Sequence, residues 1–156
     1  MMEIKNDESA IPGRLSDMAE CDALDESDTR LTRRFQFTRV DDEGKVLWGI
    51  NDKVFDSGRM DARPRLGSTE IWEFTTDTHH PVHLHLVHFK VLSCKAFGRG
   101  GNPLLIDAGW KDTVDLRPRE DARVLVRFNG YRGRYVFHCH NLEHEDMMMM
   151  ANFEVV

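Results

Sequence analysis

From Phe35 onward the chain is written in short runs of β-branched and aromatic residues broken by turn chemistry, a pattern that leaves little room for anything but strands. The runs are Phe35-Gln36-Phe37, Val46-Leu47-Trp48, Glu70 to Phe74, Leu84 to Leu92, Val124 to Phe128, Tyr135 to Cys139 and Phe153 to Val155. Between them stand Asp42-Glu43-Gly44, Asp56-Ser57-Gly58, Gly98 to Pro103 and Asn129-Gly130, residues that reverse a chain at low conformational cost. Many short strands punctuated in this way pack as a sandwich or barrel, so the expected class is all-β. Residues 1–33 differ: they are rich in Asp, Glu, Ser and Arg, poor in large apolar side chains, and carry a Pro12-Gly13 turn signal. They read as an irregular linker in which Leu15, Met18 and Ala19, with Ser16 as cap, are weighed as one short helix. Residues 34–156 read as the domain.

A chain of 156 residues suits one domain with a real core. Its formal charge of −6 is spread over interspersed acids and bases, and with no basic stripe nucleic acid is not an expected partner. No apolar run approaches the roughly 20 residues that cross a bilayer. Met1 to Pro12 also lacks the basic-then-apolar profile of a signal peptide, so the expectation is a soluble chain, no membrane, and the cytoplasm as default compartment. Cys21, Cys94 and Cys139 are too few for a disulfide framework, and the first two read as inert free thiols.

Chemistry concentrates in two motifs. His138-Cys139-His140 is followed by His144 and by Met147 to Met150, and His80-Pro81-Val82-His83-Leu84-His85 lies upstream on another expected strand. Thiolate, imidazole and thioether together suit copper better than zinc, calcium or magnesium. Strand side chains alternate between faces, so His138 and His140 point one way and Cys139 the other. His83 and His85 share a parity that His80 does not. One strand pair would thus serve two sites: His80, Cys139 and His144, with a methionine of the following turn as axial ligand, in the His2Cys arrangement of an electron-transfer copper site, and His83, His85, His138 and His140 opposite. Pro81 is the residue able to disturb this count. Two plainer readings stand beside it: zinc is satisfied by one Cys and several His, and Met147 to Met150 serve equally as flexible core filler. His79 and His88 read as structural or solvated, and Asp112 as a turn carboxylate or a brace beside the Cys139 site.

His80-Pro81-Val82-His83-Leu84-His85 and His138-Cys139-His140-Asn141-Leu142-Glu143-His144, with Met149 five residues on, resemble the C-terminal copper motifs of multicopper oxidases. More narrowly, Gly67 to Trp72, Leu84 to Phe89, Gly109 to Thr113 and Leu142 to Asp146 resemble the third cupredoxin domain of bacterial spore-coat laccases and bilirubin oxidases. Ile11 to Leu15 is similar to the linker ahead of that domain, so the resemblance covers nearly the whole chain. It implies a cupredoxin-like Greek-key β-sandwich or barrel after an irregular linker. It implies His80, Cys139 and His144 as type 1 copper ligands with Met149 axial, His83 as a type 2 ligand, and His85, His138 and His140 as ligands of the type 3 pair. Glu145 becomes a candidate proton relay.

The function so implied is that of an oxidase part. Type 1 copper takes single electrons from a phenol, aromatic amine, bilin or metal ion and relays them to a trinuclear site where dioxygen becomes water. The rest of that site comes, in the family, from two His-x-His pairs of an N-terminal domain, and residues 1–78 hold no histidine. The expected partner is therefore N-terminal oxidase domains or a separate chain carrying those pairs. On this reading the chain is a split or truncated oxidase or an excised domain, incomplete for dioxygen reduction alone. The alternatives are a stand-alone electron-transfer or copper-binding cupredoxin without oxidase activity, and a decayed fragment.

Overall fold

The computed structural model describes residues 24–96 and 105–156. The Pro12-Gly13 turn, the short helix after Ser16, Cys21 and the turn from Gly98 to Pro103 lie outside the described residues. Those described form ten strands and one five-residue α-helix: β1 (Thr32–Asp42), β2 (Lys45–Ile50), β3 (Thr69–Thr76), β4 (His80–Leu84), β5 (Phe89–Ala96), β6 (Trp110–Lys111), β7 (Thr113–Leu116), β8 (Glu120–Arg127), β9 (Gly133–Cys139), α1 (Leu142–Asp146) and β10 (Met150–Val155). They make a six-stranded sheet, β2-β1-β3-β8-β5-β6, and a four-stranded sheet, β10-β9-β4-β7. The two-sheet all-β architecture is the expected one. β1 starts at Thr32, inside the stretch read as linker.

Alternation builds the core. In β1, Phe35 and Phe37 are buried while Arg34 and Gln36 face out, and Trp72 and Phe74 of β3 continue the same apolar layer. Trp72 lies at its centre, fully buried, with ring centroids 4.8 Å from Phe35, 5.3 Å from Phe137, 5.5 Å from Phe153 and 5.6 Å from Phe128. It thereby joins the two sheets. The buried carboxylate of Glu70 accepts from Arg33 Nε at 2.8 Å and from Trp72 Nε1 at 3.0 Å, which satisfies a charge that would otherwise be costly inside. The β1–β2 hairpin turns at Glu43 and Gly44, both at positive φ, the geometry a tight hairpin demands and glycine supplies most cheaply.

One local expectation is corrected. The run from Leu84 to Leu92 is not one strand: β4 ends at Leu84 in one sheet and β5 begins at Phe89 in the other, and Leu86, at φ 76, lies in the crossing between them. The helix α1 carries His144 just ahead of the methionine run, with Asn141 as its cap accepting from Glu143 N at 3.2 Å. Among the described residues no helix is long and apolar enough to cross a membrane.

Placement of the two ligand motifs rests on one pairing. β4 and β9, far apart in sequence, are antiparallel neighbours with Val82 opposite Cys139 and His83 opposite His138. β10 closes against β9 with Met150 opposite His138.

Replacing Trp72 by Ala is expected to cost about 3–5 kcal/mol, the range for emptying a large aromatic site, read from urea unfolding. Burial pushes the Cys94 thiol up to about 12. Native protein at mildly alkaline pH should therefore leave Cys94 unalkylated by iodoacetamide, with reaction appearing only on unfolding, as mass spectrometry would report.

Candidate metal centre

Alternation along β4 and β9 sorts the ligands as the sequence predicts. His80, Val82 and Leu84 are buried on the inner face of β4, and His83 lies on the other. Pro81 does not disturb the count: it keeps its place opposite Asp115 of β7, and its carbonyl accepts from His140 N at 2.7 Å. His85 falls just past the end of β4 yet stays tied to β9, its N–H donating to Val136 O at 3.1 Å.

On the inner side, ligand atoms of His80, Cys139 and His144 lie within 4.8 Å of one another. Cys139 Sγ is 3.4 Å from His144 Nδ1, which is 3.1 Å from His80 Nδ1. His80 and Cys139 are fully buried and His144 nearly so. The third member of the group comes from α1, of which His144 is the buried residue. Met149 is fully buried; its N–H donates to His144 O at 2.8 Å and its carbonyl accepts from Cys139 N at 3.0 Å, so the thioether-bearing residue is held between the two.

On the outer side, ligand atoms of His83, His85 and His138 also lie within 4.8 Å of one another, with His85 Nε2 and His138 Nε2 3.1 Å apart. His140 stands at the rim of this group, half exposed, its ring 5.4 Å from that of His138 and 5.7 Å from that of His83. Glu145 Oε2 is 3.8 Å from His138 Nδ1 and 3.9 Å from His140 Nδ1. The structure thus gathers six of the eight residues assigned to copper into two groups, with Met149 and His140 at their edges, and sets Glu145 beside the outer one.

Neighbouring acceptors decide which ring nitrogen is free. His80 Nε2–H donates to Asp77 Oδ1 at 3.1 Å, which turns the lone pair of Nδ1 toward Cys139. In the outer group the choice is reversed: His83 Nδ1–H donates to Asp112 O and Thr113 Oγ1, each at 3.0 Å, and His138 Nδ1–H to Cys139 O at 3.1 Å, leaving Nε2 of both free. Asp112 is therefore a neighbour of His83 rather than a brace beside Cys139. His79 pairs with Asp115 at 2.7 Å and His88 is exposed, in keeping with structural roles. Sequence reasoning missed Asp77, Asn141 and Trp48. Trp48 lies 3.9 Å, ring to ring, from His144. Only Asp77 left a signal, a carboxylate three residues ahead of a ligand.

The donor set suits copper. Burial holds the imidazoles of His80 and His144 below the ordinary histidine range, so they are neutral and able to bind near pH 7, although Asp77 pulls His80 the other way. Burial also pushes the Cys139 thiol up to about 11, against the N–H of Asn141, which donates to its sulfur at 3.5 Å. A metal taken up here must displace that proton, a demand that soft thiolate-binding ions meet and calcium or magnesium do not.

Comparison with known proteins agrees with this geometry. The family model described as multicopper oxidase matches residues 26–156. A laccase of Haloferax volcanii is 41% identical across 96% of this chain and 26% of its own length. A bilirubin oxidase of Albifimbria verrucaria is 35% identical across 94% and 25%. Among solved structures, a multicopper oxidase from Campylobacter jejuni, described as a metallo-oxidase, superposes with a TM-score of 0.73 at 26% identity, covering 86% of this chain and 31% of that one. The chain belongs to the multicopper oxidase family, with a cupredoxin-like β fold. It spans about a quarter of the length of the two relatives. Copper is the cofactor that membership brings.

Linkage sets a pH window for the metal-free chain. His80, His83, His85 and His144 all titrate below 6.5 when folded, so the unfolded chain binds more protons and stability falls as pH drops below about 6.5. Cys94 and Cys139 titrate above 9.0 when folded, so the folded chain binds more protons there and stability falls again as pH rises beyond 9. Urea midpoints in the presence of chelator should be highest between these limits. Each extra proton contributes about 1.4 kcal/mol per pH unit to the slope.

Proposed function

We propose that the chain from β1 onward, residues 32–156, forms the C-terminal copper domain of a laccase-like oxidase, with the stretch ahead of β1 as its linker. In this reading His80, Cys139 and His144 hold a type 1 copper with Met149 as the axial ligand, His83 serves a type 2 copper, and His85, His138 and His140 serve a type 3 pair. The carrying observation is the two-faced strand β9: the Cys139 sulfur faces His80 and His144 inward, while the imidazoles next to it in sequence join His83 and His85 outward.

Copper bound at a His2Cys set supplies one-electron chemistry. The chain's own groups prepare for it. Asp77 holds the His80 tautomer, Asn141 N–H stabilises the deprotonated sulfur, and the hydrogen bond from His138 Nδ1 to Cys139 O joins the inner and outer groups in addition to the covalent backbone. Glu145, partly exposed and within 4 Å of both His138 and His140, is placed to relay protons between solvent and the outer histidines. The substrates are a small reductant (phenol, aromatic amine, bilin or metal ion) and dioxygen. The missing ligands come from N-terminal oxidase domains or a second chain bearing two His-x-His pairs.

Copper titration of the full chain tests this. One tightly held ion should bring an intense visible thiolate-to-copper band, lost in Cys139→Ser, with looser copper uptake that His83→Ala and His138→Ala diminish. Oxygen uptake with a laccase dye should be absent for the chain alone and appear on mixing with a chain that carries the two pairs. A band that survives Cys139→Ser, or dye turnover by the chain alone, sinks the reading.

A further inference from the structure

His144 is more hidden than its position allows. It sits on a five-residue helix at the surface, where Leu142 is 72% exposed and Met147, the cap, 47%, yet His144 itself is 8% exposed. Its cover comes from the edge strand of the other sheet: Trp48 of β2 lies over the imidazole with ring centroids 3.9 Å apart and planes inclined by 37°. The same indole meets His80 edge-on at 5.6 Å and 80°. Behind it, Arg39, opposite Trp48 in the β1–β2 ladder, carries its guanidinium carbon 5.9 Å from the indole centroid. Arg39 Nε lies 3.9 Å from Asp77 Oδ2, and the other oxygen of Asp77 accepts from His80. The run Trp48, Arg39, Asp77 therefore touches both imidazoles of the inner group, Trp48 meeting each and Asp77 binding His80.

We propose that Trp48 is a positioning residue for the inner metal centre: it clamps and dries the His144 ring, and with Arg39 and Asp77 behind it sets how readily a metal held there accepts an electron. The physical reason is that one-electron reduction lowers the positive charge of the centre. An apolar cover that keeps water from His144 disfavours the more charged, oxidised state and so raises the reduction potential. Arg39 acts in the same direction, but weakly, because its side chain is 63% exposed and its field is screened by solvent. Order of effect follows: loss of the indole matters more than loss of the guanidinium.

This rests on the copper reading above, and the test keeps the two apart. The full chain is loaded with copper, and potentials are measured by redox titration of the visible band for the unaltered chain, Trp48→Ala, Trp48→Leu, Trp48→Phe and Arg39→Gln, with thermal melting as the check on folding. In Trp48→Ala the equilibrium constant for one-electron reduction should fall about tenfold, or about 59 mV. Trp48→Leu, which keeps apolar bulk without the ring, should fall less, and Trp48→Phe should restore most of the loss. Arg39→Gln should shift by less than Trp48→Ala. If Trp48→Ala does not fold, Trp48→Leu against Trp48→Phe decides. Potentials in the Trp48 variants equal to that of the unaltered chain overturn the proposal, as does a larger shift in Arg39→Gln than in Trp48→Ala. Absence of any visible band in the unaltered chain defeats the copper reading instead.

Discussion

Everything functional in this chain depends on the antiparallel pairing of β4 with β9. It sets His83 opposite His138 and Val82 opposite Cys139, bringing two distant ligand motifs side by side with their alternation in phase. A shift of one residue in that register would turn the buried sulfur toward the wrong neighbours. The pairing is guarded from both sides, by β10 against β9 and β7 against β4, and from beneath by the aromatic layer around Trp72. The core is thus the device that keeps a register fixed.

Much of the site was legible in the sequence because strand alternation is a local property. Knowing that His138 and Cys139 are adjacent on a strand is enough to send them to opposite faces, and the same parity divides His80 from His83 and His85. The all-β class followed equally from local cues such as the period-two run Phe35-Gln36-Phe37 and the hairpin turn at Glu43 and Gly44. What was not legible depends on contacts between sheets. Trp48 looked like any strand aromatic, and nothing in its neighbourhood says that it will cover His144, a residue 96 positions later brought under it by α1. Asp112, read as a turn carboxylate or a brace, does lie between β6 and β7, but its contact with His83 runs through its backbone carbonyl and so leaves no mark in the side-chain pattern. The single run drawn from Leu84 to Leu92 hid a change of sheet, since continuous apolar character looks the same on either side of a crossing.

The two histidine groups are assembled from opposite ends of the imidazole ring. His80 is held through Nε2 and offers Nδ1; His83 and His138 are held through Nδ1 and offer Nε2. In the inner group the Nδ1 atoms of His80 and His144 lie together beside Cys139, and in the outer group the Nε2 atoms of His85 and His138 meet at 3.1 Å. The acceptors responsible are ordinary: one carboxylate, one hydroxyl and backbone carbonyls. They nonetheless fix which ring nitrogen each imidazole turns toward its neighbours.

Because sulfur and imidazole hang from consecutive α-carbons of β9, no hinge or loop stands between the inner and outer groups. Inserting or deleting a single residue between Phe137 and His140 would exchange the two faces, so both side-chain clusters would come apart in one event.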